Sequence, residues 1–202
     1  MFWKAKSIVT RMEPAVSAGS PESIPSKSLQ RLIGRALQLQ SSPRLLMLGE
    51  LCGQNIAYLG ERGFRVSVEK DIKAGMEDLF AAAILWDALW MMPPEVARRR
   101  TQRLFDMLEP GAPVLAFFGA PAPPAPCPRS RYRILSDSTI RREAVEGRFG
   151  RAYPFQNRDI LQIFERFEND HLQTKRDGRR EALFFKPLSG FEPASGHTAG
   201  AA

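Results

Sequence analysis

Cysteine is nearly missing from this chain: only Cys52 and Cys127 occur among 202 residues. Two thiols cannot build the multi-bridge framework that stabilises small secreted domains, and no Cys/His spacing resembles a zinc-ligand cluster. Long apolar runs are missing too. None approaches the roughly 20 residues that a membrane-spanning helix needs. Met1-Phe2-Trp3-Lys4-Ala5-Lys6 carries charge with no continuous apolar segment behind it, so a secretory leader is not expected. Histidine is limited to His171, at the start of an expected strand, and His197, in an expected tail, so neither is well placed as a base. These absences argue against a disulfide scaffold, a metal site and a membrane span. They fit a protein of the reducing cytoplasm.

What is present is ordinary for a globular domain: 44% hydrophobic and 25% charged residues in a length that suits one core. The formal net charge is +7. Such an excess can draw in nucleic acid, an acidic protein or anionic lipid. No recognisable nucleic-acid module accompanies it, so a nucleic-acid partner is not expected, and no membrane partner is expected either. Arg98, Arg99, Arg100 and Arg103 form one basic cluster; Arg129, Arg131, Arg133, Arg141 and Arg142 form a second. If both face a cleft mouth, an acidic or phosphate-bearing substrate fits. If they face away, they are a partner-binding or solvated surface.

The chain divides into an arm over residues 1–26, a domain over 27–187 and a tail over 188–202. Helical spacing of Leu29, Leu32, Ile33 and Leu37 predicts a helix over 28–40. Leu45–Leu48 is continuously apolar, as in a strand buried on both faces. A helix over 54–61 and a strand over 64–68 follow. Residues 76–82 look weakly helical, 83–86 read as a strand, and Pro93-Pro94 opens a helix to Leu108. Glu109-Pro110-Gly111 ends it before a strand over 113–118. The proline-rich stretch 121–128 reads as a stiff surface loop. Tyr132–Leu135 is expected as a short strand, 158–167 as a helix, and 171–174 with 181–186 as two strands joined through Asp177-Gly178.

The chemistry concentrates in Leu45-Leu46-Met47-Leu48-Gly49-Glu50-Leu51-Cys52-Gly53 and, sixteen residues after Gly53, in Glu69. A strand running into two glycines, then a helix and a second strand ending in an acid, is a βαβ unit able to hold a nucleoside-containing cofactor. The glycines permit a tight turn and close backbone approach, and the acid accepts hydrogen bonds from ribose hydroxyls.

This order resembles the class I methyltransferases that use S-adenosylmethionine. The likeness covers about residues 28–187. It rests on Leu45–Asn55, on Val66–Glu69, on Ala83–Trp90 with its Trp86-Asp87-Ala88-Leu89, and on Leu108–Val114 before the fifth strand of that family. The resemblance implies an α/β, Rossmann-like, mostly parallel sheet with an antiparallel C-terminal hairpin. It assigns the cofactor's amino-acid portion and sugar to Gly49 and Gly53, its ribose to Glu69, and the cleft rim to Asp87, Ala88 and Leu89. It implies S-adenosylmethionine as cofactor and methyl transfer to an acceptor that the sequence does not identify. No catalytic residue is assigned.

The sequence departs from the family pattern at three places. Met47 stands where the family carries an acid, with Glu50 as a compensating carboxylate. Leu51 replaces the middle glycine. Only fifteen positions separate Glu69 from Ile84, too few for a full third strand and its helices, and Asp78 is the nearest polar candidate beside adenine. These departures also support an alternative: a methyltransferase-like domain without catalysis that acts in protein interaction. Asp87 has its own alternative as a helix-start acid. Trp86 and Trp90 read as packing or as ligand-lining rings. Tyr132, Tyr153 and Asn157 can reach the cleft from the last third, and Cys52 reads as a small side chain filling the turn.

Overall fold

A computed structural model describes residues 23–50, 52–69, 79–120, 126–176 and 178–188. In chain order the elements are β1 (Ser23–Pro25), α1 (Lys27–Leu39), β2 (Arg44–Leu48), α2 (Gly53–Gly60), β3 (Arg65–Glu69), β4 (Ala82–Leu85), α3 (Pro94–Asp106), β5 (Pro113–Phe118), β6 (Pro126–Ile134), β7 (Thr139–Arg151), α4 (Asn157–Ile163), β8 (Glu168–Thr174) and β9 (Arg180–Phe185). Six strands form the central sheet in the order β3-β2-β4-β5-β9-β8. β3, β2, β4 and β5 are parallel, and β9 and β8 close the sheet as an antiparallel hairpin. This is the mostly parallel α/β sheet that the sequence implies. Among the described residues no strand lies outside β3.

β2, β4 and β5 are buried on both faces, which is why their sequences read as nearly unbroken apolar runs. Alternate side chains feed two cores. Leu46 and Leu48 enter one with Leu104, Ile160 and Phe164, under α3 and α4. Leu45 and Met47 enter the other with Leu29, Leu32 and Leu59, under α1 and α2. Met47 is thus a core side chain, 1% exposed. Ser26 caps α1 by accepting from the Leu29 amide at 3.1 Å, and its hydroxyl also donates to Glu181 Oε1 at 3.0 Å. Thr101 on α3 donates to the Ile163 carbonyl and so ties α3 to α4.

A second sheet is ordered β1-β7-β6; β6 and β7 lie between β5 and α4 in the chain, and β1 precedes α1. Its extent is the main correction to the sequence reading. The short strand expected at Tyr132–Leu135 is the end of β6, which starts at Pro126 inside the stretch read as a surface loop. Residues 121–125 lie outside the described residues. β6 is an edge strand, where a proline's missing N–H costs no ladder bond. β7 was not anticipated, because arginine and glutamate interrupt its apolar residues and only its first residues reach the core. Ser23–Pro25, within the expected arm, pairs with β7. The weak helix expected over 76–82 also differs: Phe80 bridges to Leu108, and Ala82 already opens β4. Residues 70–78, with Asp78, fall outside the described residues, as do residues 1–22, Leu51, Asp177 and 189–202. α4 is shorter than expected, but Phe164 and Phe167 continue its buried stripe through a turn. Among the described residues no helix is long and apolar enough to cross a membrane.

One side chain anchors the second sheet on α2. Asn55, fully buried in α2, donates to the Tyr132 carbonyl at 2.8 Å and accepts from the Ile134 amide at 2.7 Å. Asn55→Ala leaves two buried backbone groups of β6 without partners, a loss of about 2–4 kcal/mol in urea unfolding. Asn55→Asp loses only the donated bond, but buries a charge beside a carbonyl and is expected to destabilise as well. Wild-type stability in both variants would refute the anchoring role.

Candidate active site

Chain order places β3 to one side of β2 and carries the chain across to β4 on the other. Ligands of open α/β sheets bind outside the carboxyl ends of the strands at such a switch. Here the ends of β2 and β3 are in register, with Leu48 beside Glu69, and Leu48 also lies beside Leu85 of β4.

Above this switch lies a cleft of about 860 Å³, within the usual size range of small-molecule sites. Gly49, Glu50, Val68, Trp86, Asp87 and Ala88 line one side, and Arg100, Arg129 and Arg148 reach it from α3 and the β6–β7 hairpin. Four of the six residues expected from sequence, Gly49, Glu50, Asp87 and Ala88, therefore share one cavity wall. Gly53 and Glu69 do not line it. Gly53 opens α2, with free space where a Cβ would stand. Glu69 ends β3, half-buried, and its side chain has no ion pair or hydrogen bond among the described residues.

Gly49 is fixed by two independent constraints. Its φ is +125°, and a Cβ there would stand 2.5 Å from the Trp86 carbonyl oxygen. The turn after β2 therefore packs backbone to backbone against the end of β4, which only glycine permits. Cys52, 6% exposed, precedes α2 and makes no side-chain cap, so the first turn's N–H groups keep no side-chain acceptor. Glu50 turns to the cleft rim, where Arg129 Nη1 lies 3.2 Å from one oxygen and Arg148 Nη1 3.1 Å from the other. These ion pairs tie the β2–α2 turn to the hairpin.

Asp87 is the buried acid of the site. It is 4% exposed and sits at φ +50°, in a turn rather than at a helix start, since α3 begins at Pro94. Tyr132 donates its hydroxyl to Asp87 Oδ1 at 2.9 Å. Oδ2 has no hydrogen bond, and Arg142 Nη2 stands 3.8 Å from it. Burial pushes the carboxyl above its ordinary 3.8, although Arg142, the Tyr132 bond and Arg179 pull the other way. Burial, then the Asp87 charge, push the Tyr132 phenol well above its usual range, so it stays protonated as a donor. No sequence signal pointed to this pairing of Asp87 and Tyr132; it arises because β6 crosses the end of β4.

The two tryptophans divide between the sequence alternatives. Trp86 packs, stacked on Phe117 at 4.9 Å and on Tyr132 at 5.1 Å, yet it also lines the cleft, and its buried indole N–H has no partner. Trp90 only packs, across Gly119 at the end of β5. Tyr153 is half-buried beside Arg151, and Asn157 is exposed on α4. Of the basic clusters, Arg100 and Arg129 reach the cleft, Arg142 faces Asp87, and Arg98 pairs with Glu165 instead. Among the described residues no group of three or more His, Cys, Asp or Glu could hold a metal ion.

No family model matches the chain, and no curated protein matches it in sequence. Solved structures do match in fold. A methyltransferase dependent on S-adenosylmethionine from Methanosarcina mazei is 14% identical with a TM-score of 0.54, covering 82% of this chain and 100% of its own. The sugar N-methyltransferase KedS8 of Streptoalloteichus is 12% identical with a TM-score of 0.53, over 79% of this chain and 87% of its own. The 1,6-didemethyltoxoflavin-N1-methyltransferase of Burkholderia thailandensis, solved with its substrate and S-adenosylhomocysteine, is 14% identical with a TM-score of 0.50, over 80% and 79%. The chain has the fold of the class I S-adenosylmethionine-dependent methyltransferases.

Two outcomes test this geometry. Gly49→Ala forces a side chain into left-handed backbone and into the Trp86 carbonyl, and is expected to cost at least about 2 kcal/mol in urea unfolding; a loss under about 0.5 kcal/mol would contradict the packing. Asp87→Asn keeps the acceptor for Tyr132 and suits the positive φ. Because the folded carboxyl binds its proton more tightly than the unfolded one, wild-type stability falls as pH rises from about 4 through the raised value. The stability advantage of Asp87→Asn over wild type therefore grows across that window and then levels. A pH-independent difference from pH 4 to 8 would refute the buried-acid assignment.

Proposed function

We propose that this protein transfers methyl groups from S-adenosylmethionine. The observation that carries this reading is the cleft at the β2/β4 switch, with Gly49 of the glycine turn and Val68 of β3 on its wall and Glu69 the next residue of that strand. The residues present suit the cofactor. Gly49 brings the backbone to the cavity, the uncapped start of α2 offers N–H donors for a carboxylate, and Glu69 is an acceptor with no protein partner among the described residues. Trp86 adds a flat wall and an unpaired N–H. Bound there, S-adenosylmethionine supplies an electrophilic methyl on a positively charged sulfur.

The chain's own part is placement and proton handling. Asp87 and Ala88 hold the rim where an acceptor enters, and the β6–β7 hairpin contributes Arg129, Ser130 and Arg148 to the cavity wall. Asp87 Oδ2, buried and without a hydrogen bond, is the lone-pair site for a proton leaving the acceptor, and Tyr132 holds the other oxygen so that Oδ2 keeps one direction.

The competing reading, an inactive domain of this fold used in protein interaction, has one observation in its favour: Glu50, the acid of the glycine turn, is already held by Arg129 and Arg148. Calorimetric titration of the full chain with S-adenosylmethionine and S-adenosylhomocysteine separates the two. Saturable binding, weakened about ten- to a hundredfold by Glu69→Ala, is the expected outcome, since a hydrogen bond to a charged group contributes about 1.5–3 kcal/mol. No heat at millimolar ligand with folded protein would leave the interaction reading standing.

A further inference from the structure

β6 turns one face inward. Ser130, Tyr132 and Ile134 alternate along that face and are 5%, 2% and 3% exposed, while Arg131 and Arg133 between them are only half-buried. Ile134 enters the core, and Tyr132 gives its hydroxyl to Asp87. Ser130 is the member of this row that lines the large cleft. Its hydroxyl makes no hydrogen bond among the described residues. Buried polar side chains nearly always have a partner, and at a cleft wall a ligand can supply it.

The local backbone sets this residue apart. Pro128 pairs with Phe149 and Ser130 with Ala144, so residues 145–148 of β7 stand opposite Arg129 alone. Bulges re-aim side chains and gather beside active sites. Ser130 is the first residue of β6 to pair again after the irregularity.

The surrounding wall is apolar or already paired. Ala88, Met91 and Met92 line the same cleft. Met91 packs on β7, where a Cβ on Gly150 would stand 3.1 Å from its sulfur. Thioethers make favourable contacts with aromatic rings. The cations are engaged: Arg129 and Arg148 hold Glu50 at 3.2 and 3.1 Å, and Arg100 is not free either. An anionic ligand would have to break these pairs. Two polar groups are left to a ligand, the Ser130 hydroxyl and Asp87 Oδ2, which has no hydrogen bond. The hydroxyl can donate, and an ionised carboxylate only accepts.

We propose that Ser130 orients the methyl acceptor, and that this acceptor is an uncharged, flat molecule with an N–H or O–H for Asp87 and a carbonyl oxygen for Ser130. The word acceptor rests on the methyl-transfer reading, whereas the binding site is tested without it. The probe is 6-fluoro-4-quinolone, whose N–H and carbonyl lie at opposite edges of one flat ring system. Fluorine NMR linewidth is followed on the full chain, with and without millimolar S-adenosylhomocysteine. Saturable broadening is expected. 6-Fluoroquinoline, which has neither the N–H nor the carbonyl, is expected to bind about tenfold more weakly. The anionic 6-fluoro-4-oxoquinoline-2-carboxylate is expected to bind more weakly than the quinolone. Ser130→Ala, checked for folding by thermal melting, is expected to weaken the quinolone about five- to tenfold and to leave 6-fluoroquinoline unchanged; Ser130→Thr, which keeps the hydroxyl, loses less. A packing role alone would weaken both probes together. No saturable broadening, an unchanged quinolone affinity or an equal loss for both probes in Ser130→Ala, or tighter binding of the anion would each overturn the assignment. Quinolone binding without S-adenosylhomocysteine binding would keep the site and sink the methyl-transfer reading, and the reverse would sink the site alone.

Discussion

The buried amide of Asn55 is the contact on which the rest of the upper architecture depends. It gives and takes one hydrogen bond on β6, at the two residues flanking Arg133. Those bonds replace the water that the carbonyl and amide would otherwise require, so the hairpin can lie on α2 without orphaned backbone. With β6 fixed there, Tyr132 stacks on Trp86 and meets Asp87, and Ile134 and Ile140 extend the core under α1 and α2. The cleft takes part of its wall from this one docked element, and the buried acid takes its hydrogen bond from it.

Electrostatics follows from that docking. Asp87 would be an ordinary carboxylate at the end of β4 were it open to water. Covered by the hairpin, it loses solvation and keeps its proton to higher pH, while Arg142 on the same hairpin holds the shift in check. Glu50 is treated in the opposite way: two arginines from the hairpin neutralise it at the rim. One insertion thus tunes two acids differently, by desolvating one and pairing the other.

Much of the central sheet was legible in the amino-acid pattern, because β2, β4 and β5 are buried on both faces and so are almost wholly apolar. Leu45–Leu48 and Pro113–Phe118 show this directly. The hairpin was not legible. β7 carries arginines at positions where a half-buried strand alternates, and Pro126 and Pro128 imitate a loop. Local preference there is overridden by pairing between strands, which a one-dimensional pattern does not contain.

The chain's sequence alone settled its class: apolar strands alternating with amphipathic helices, a glycine turn after the first parallel strand, an acid ending the next, and an antiparallel close. It did so because burial and backbone geometry constrain residue types position by position. Tertiary structure decided the chemistry of the site. Whether Asp87 is buried or solvated, whether Glu50 is free or paired, and which arginines share a cavity depend on segments far apart in the chain meeting in space. Distance along the sequence carries no record of the water excluded when they meet.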